Sequence, residues 1–132
     1  MIKFSGTVKP GIGDFGPRMS EHQAAFTAVT GERLFPGTLN VHLEIPVPPR
    51  EHFRLSGASI GHPHEDFLFE VIRIAAYWAY RIRPLNLSTG AGGHGDHVVE
   101  VASATYLPPE IALPESRVEI TFFRNYYRPV GP

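Results

Sequence analysis

Apolar and polar residues alternate in several short stretches of the chain, as strands with one buried face do. Ile2, Phe4 and Val8, separated by Lys3, Ser5, Thr7 and Lys9, predict a first strand with Gly6 as a bulge or point of close approach. Leu39, Val41 and Leu43 alternate with Asn40, His42 and Glu44 and predict a second over residues 39–45, stopped by Pro46-Val47-Pro48-Pro49. A short strand is expected within residues 53–60, and further strands over 97–103 and 117–123. Residues 67–83 are less regular: Phe67, Phe69 and Val71 alternate, but Val71-Ile72 and Ile74-Ala75-Ala76-Tyr77 do not. Their β-branched and aromatic content favours two strands, 67–74 and 77–83, over one helix. Alternation there sets Trp78 and Tyr80 on one face and Tyr77 on the other, with packing in the core expected.

One helix is predicted over residues 20–29, where Ser20 and Gln23 form a capping-box pattern and Gly31 follows the end. Its apolar face is expected to be Ala24, Ala25, Ala28 and Val29, with Phe26 nearby. Residues 108–113 predict a helical turn that starts on proline. Glycine and proline, 13 of each, punctuate the chain without a period, which suits many short strands. The expectation is a mainly β fold in one domain, residues 1–123, followed by a tail, 124–132.

Composition narrows the chemistry. The 132 residues include no cysteine, so disulfides and a thiol nucleophile are excluded, and a metal must bind through oxygen or imidazole. The formal charge is −1 with both signs mixed along the chain, which argues against nucleic acid or an anionic membrane as partner. The longest apolar run is interrupted by Glu70, Arg73 and Arg81, and a soluble, cytoplasmic protein is expected.

The stretch around which these elements are organised is Phe35-Pro36-Gly37-Thr38-Leu39-Asn40-Val41, a turn feeding a strand. Thr38 and Asn40, two apart, point to the same side and offer a hydroxyl and an amide carbonyl, hard oxygens suited to Mg2+ when phosphates complete its shell. Upstream lies a glycine-rich loop, Gly11-Ile12-Gly13-Asp14, which can present N–H groups to an anion but has no GK[ST] and is no Walker loop. His94 and His97 sit beside the glycines of a later loop, Gly90, Gly92, Gly93 and Gly95, and are candidates for a base toward a substrate hydroxyl.

In this order the motifs resemble the CTP-dependent riboflavin kinases, the archaeal type. The likeness begins at Gly6-Thr7-Val8 and Gly11-Ile12-Gly13-Asp14-Phe15 and is sharpest at the Phe35–Val41 heptapeptide. It continues at Ile82-Arg83-Pro84, Val98-Val99-Glu100-Val101-Ala102 and Val118-Glu119-Ile120. The resemblance implies a small six-stranded cradle-loop β-barrel and transfer of the γ-phosphate of CTP to riboflavin, giving FMN and CDP. It also implies Mg2+ on Thr38 and Asn40, and nucleotide contacts at Gly11, Ile12, Gly13 and Asp14 and again at Thr105, Tyr106, Leu107 and Pro108. Flavin contacts would come from Thr89 and Glu100. The chain departs from the family pattern at Pro108, where an arginine is usual, and at Pro114-Glu115-Ser116.

Three other readings compete. A barrel that keeps the pocket as a nucleotide or flavin sensor would have the same motifs, as would a kinase of another small alcohol. His62-Pro63-His64 followed by Glu70 approaches the first metal motif of cupins, although the spacing differs and no second motif follows.

Overall fold

The longest apolar run of the chain folds into a long hairpin of two ten-residue strands, β4 (Glu65–Ile74) and β5 (Tyr77–Asn86), joined at Ala75-Ala76. In this computed structural model, residues 1–10, 15–90 and 95–124 are described. The other strands are β1 (Ile2–Lys9), β2 (Leu39–Leu43), β3 (Phe53–Leu55), β6 (Val98–Ala102) and β7 (Arg117–Phe122). Helices α1 (Phe15–Glu21), α2 (Gln23–Thr30) and α3 (Pro109–Ala112) and a 3-10 turn at Gly57–Ile60 complete the described elements.

Six strands close into an antiparallel barrel in the order β4-β5-β6-β2-β1-β7, with β7 returning to β4. The six-stranded barrel expected from the sequence is therefore present, with β3 as an additional strand outside the ring. Closure depends on β4 sharing one edge between two partners. Phe67 to Phe69 pair with β3, and Ile72 to Ile74 pair with β7.

The same strand explains the irregular sequence pattern. Its even positions Ile72 and Ile74 face the barrel interior, where they meet Val8, Val41, Val99 and Ile120. Its odd positions Phe67, Phe69 and Val71 face outward beneath the helices, against Met19, Phe26, Leu34 and Tyr80. A strand buried on both faces reads as a continuous apolar run. Each such side chain removed from water contributes roughly 1.5–3 kcal/mol before entropy is counted. The close approach expected at Gly6 is real: a Cβ there would lie 2.7 Å from Val41 Cγ1 and 2.9 Å from the His42 carbonyl oxygen.

Several local expectations are corrected. The single helix over 20–29 is two, α1 and α2, broken at His22 (φ −118°, ψ 32°). Ser20 lies inside α1, so the capping box is not formed, and Gln23 Nε2 donates instead to the Leu34 carbonyl at 2.7 Å. Gly31 ends α2 in the left-handed region as expected (φ 82°). The buried face of α2 is Phe26 and Thr30 with Ala25 and Val29 beside them, whereas Ala24 and Ala28 are exposed. Methyl side chains discriminate weakly between faces, and the phenyl ring decides the rotation. Tyr80 packs in the outer core, but Trp78 is 55% exposed and stacks on Phe123 with ring centroids 5.2 Å apart. Among the described residues no helix is long and apolar enough to cross a membrane.

Candidate functional site

The turn at Pro36-Gly37 delivers the chain into β2 beside the end of β6, because Leu39 pairs with Val101 and Asn40 with Glu100. Gly37 takes φ 110°, which only glycine adopts readily, and the turn packs against Gly16 at the start of α1. Beyond β6, Ser103 turns the chain away. Its carbonyl accepts from Phe35 N–H at 2.9 Å and its Oγ accepts from Thr105 N–H at 3.0 Å. These bonds tie the segment before β2 to the segment after β6.

A cleft of about 430 Å3 opens between the two segments, lined by Phe35, Thr38, Ser103, Thr105, Tyr106 and Leu107, among others. Thr38 thus faces the same hollow as Thr105, Tyr106 and Leu107, three of the four residues expected to contact nucleotide. Pro108 stands just outside, as the residue that precedes α3. Phe35 and Tyr106, which are 50% and 71% exposed, meet edge to face at 6.3 Å. The sequence marked Phe35 only as the first residue of the heptapeptide and gave Ser103 no place, since the roles of both arise only when β2 and β6 pair.

Asn40 is not in the cleft lining. Alternation turns it to the outer face of the barrel while its neighbour Val41 fills the interior. There it forms the middle of a cross-strand row, with Lys9 of β1 on one side and Glu100 of β6 on the other. Its Oδ1 is buried and accepts no hydrogen bond among the described residues. A desolvated amide oxygen without a donor is costly, and a ligand-supplied donor or cation would relieve it. Thr38, just before β2, brings a hydroxyl to the cleft and Asn40, within β2, an amide oxygen beside it in sequence, and both are the hard oxygen donors that a divalent cation takes.

The remaining expected residues are distributed as follows. Gly11, Ile12, Gly13, Asp14 and His94 lie outside the described residues. Thr89 is exposed in the turn after β5, where its N–H donates to Asn86 Oδ1 at 3.1 Å. His97 precedes β6 at the end distant from the cleft, four residues or roughly 13 Å of strand before Val101. Its carbonyl accepts from Leu43 N–H, and the arrangement does not bring its ring to Thr38.

The His62-Pro63-His64 motif does not converge with Glu70. His62 packs edge to face on His22 at 6.2 Å, while Glu70 points into the barrel. There Glu70 faces Arg81 across the hairpin, each 1% exposed, with Arg81 Nη1 3.5 Å from Glu70 Oε1. Glu70 Oε1 also accepts from Arg50 N–H at 3.2 Å. Burial raises the Glu70 pKa above its ordinary value, an effect that the Arg81 charge only partly offsets. Arg83 Nη2 extends the group to Asp96 at 3.2 Å. Among the described residues no cluster of three histidines or carboxylates is arranged to hold a metal.

A larger groove of about 580 Å3 runs between the start of β1, residues 46–50 and the end of β7. Its walls are mostly apolar, including Ile2, Phe4, Val47 and Phe122, with Arg50 and Arg124 as the charged groups, whereas hydroxyl side chains line the smaller cleft. Compared with known proteins, the chain matches no family model and no curated sequence.

Proposed function

We propose that the protein is a Mg2+-dependent phosphotransferase that moves the γ-phosphate of CTP to riboflavin, giving FMN and CDP. The observation that carries this reading is the meeting of Thr38 with the Thr105–Leu107 segment at one cleft, next to the orphaned Oδ1 of Asn40. In the reaction, a riboflavin hydroxyl oxygen bonds to the γ-phosphorus as the bond to the β–γ bridging oxygen breaks, and the hydroxyl proton leaves to a base. Such transfer relies on positioning and charge neutralisation more than on covalent chemistry. A bound Mg2+ supplies the neutralisation. Thr38 and Asn40 would hold it, the 105–107 segment would hold the nucleotide, and Glu100, beside Asn40, would approach the flavin.

Incubation of the full chain with each nucleoside triphosphate, Mg2+ and riboflavin, with FMN resolved by chromatography, tests this. FMN formed with CTP in excess over the other nucleotides is the expected result, and none with any nucleotide refutes it. One observation favours a second reading, a non-catalytic nucleotide or flavin carrier: the cleft lining contains no charged side chain. Binding of CTP and riboflavin without turnover would establish that alternative.

A further inference from the structure

A nucleoside triphosphate with one divalent cation retains net negative charge, yet the cleft is lined by neutral residues, and the row beside it contributes a carboxylate at Glu100. Lys9 is the cation nearest in register. It lies directly opposite Asn40 in the β1–β2 pairing and therefore on the same face of the sheet. Arg18, on α1, is committed elsewhere, bound to Glu65 at 3.2 Å and set over the Phe67 ring.

Lys9 is held by another group. Its Nζ lies 2.9 and 3.0 Å from the two carboxylate oxygens of Glu115. Glu115 takes φ 70°, in the left-handed region, and its N–H donates to the Val8 carbonyl at 2.7 Å. Val8 N–H donates in turn to the Ser116 carbonyl at 2.9 Å, so the turn is pinned to the end of β1. The backbone is fixed while the ion pair is exposed, with 39% and 66% of the two side chains accessible. An exposed pair of this kind is weak and exchanges readily for a better anion.

We propose that Lys9 is a phosphate-binding residue of the Thr38/Asn40 site and that Glu115 restrains it in the free protein, so that ligand phosphate displaces Glu115 from the lysine. This rests on the nucleotide reading above. The test measures binding of Mg2+·CTP and of Mg2+·tripolyphosphate to the full chain by calorimetry at low and high salt. Lys9→Met is expected to weaken both ligands about tenfold and flatten the salt dependence, and Lys9→Arg to restore them. Glu115→Gln is expected to tighten both about threefold, an effect that vanishes in the Lys9→Met background.

Unchanged affinity in folded Lys9→Met overturns the proposal, as does a Glu115→Gln gain that persists without Lys9. If the parent binds neither ligand, the nucleotide reading fails and this inference with it. If the parent binds and only the variants disagree, the inference alone fails.

Discussion

Asn40 and Glu70 show how differently a strand can use a polar side chain. Asn40 keeps its one buried amide oxygen without a donor, whereas Glu70 binds Arg81 and Arg50 N–H through Oε1 in the barrel interior and leaves only Oε2 without a donor. Thr38→Ala and Asn40→Ala are each expected to weaken Mg2+-dependent CTP binding about tenfold, while circular dichroism stays that of the parent and neither variant melts earlier. Equal binding by both variants would remove the metal assignment. For Glu70 the sign follows from its raised pKa: the folded state holds the proton more tightly than the unfolded one. Its contribution to stability therefore falls as pH rises from its ordinary 4.5 through its higher folded value. Denaturant titrations from pH 4.5 upward should show this negative slope in the parent relative to Glu70→Gln, and parallel curves would contradict it.

At the scale of elements, the edges were legible and the neighbours were not. β1, β2 and β7 follow alternation, and Gly31 and Gly37 mark a helix end and a turn with the positive φ that glycine permits. The helix break at His22 was hidden, because Gln23 spends its side chain on Leu34, a partner 11 residues away that no local pattern reveals. Trp78 was expected in a core because large aromatics bury so much area, yet it lies on the surface between the Phe123 ring and the guanidinium of Arg73, its partner across the hairpin. The heptapeptide at residues 35–41 pointed to Thr38 and the resemblance to Tyr106, but the cleft also needs Ser103, whose place only strand pairing reveals. Gly57 in the 3-10 turn was likewise silent. A Cβ there would lie 1.6 Å from the Glu65 carbonyl oxygen and 2.2 Å from that of His62. Gly57→Ala is expected to cost at least about 2 kcal/mol, since backbone atoms must move. Chemical denaturation measures it, and a cost below the error of the method would show that the turn relaxes freely.

For the molecule as a whole, the two apolar clusters divide the work. The barrel interior joins strands from both ends of the described chain, and the outer layer fastens α1, α2 and β3 onto the hairpin. Ile120→Ala and Phe26→Ala are expected to cost about 2–5 and about 3–5 kcal/mol respectively. Native-state hydrogen exchange distinguishes them. Phe26→Ala should release the amides of α2 first while β1, β2 and β7 remain protected, and uniform loss of protection would mean that the layers open together. The sharing of β4 between β3 and β7 also bears on behaviour in concentrated solution. Every strand of the ring has two neighbours, with β5 meeting β6 at Tyr80 and Arg81, and the strand left outside the ring, β3, is three residues long with charged Arg54 at its middle. A border so brief offers an incoming polypeptide too few hydrogen bonds for fibril growth to begin there, and the folded protein should resist strand-to-strand aggregation.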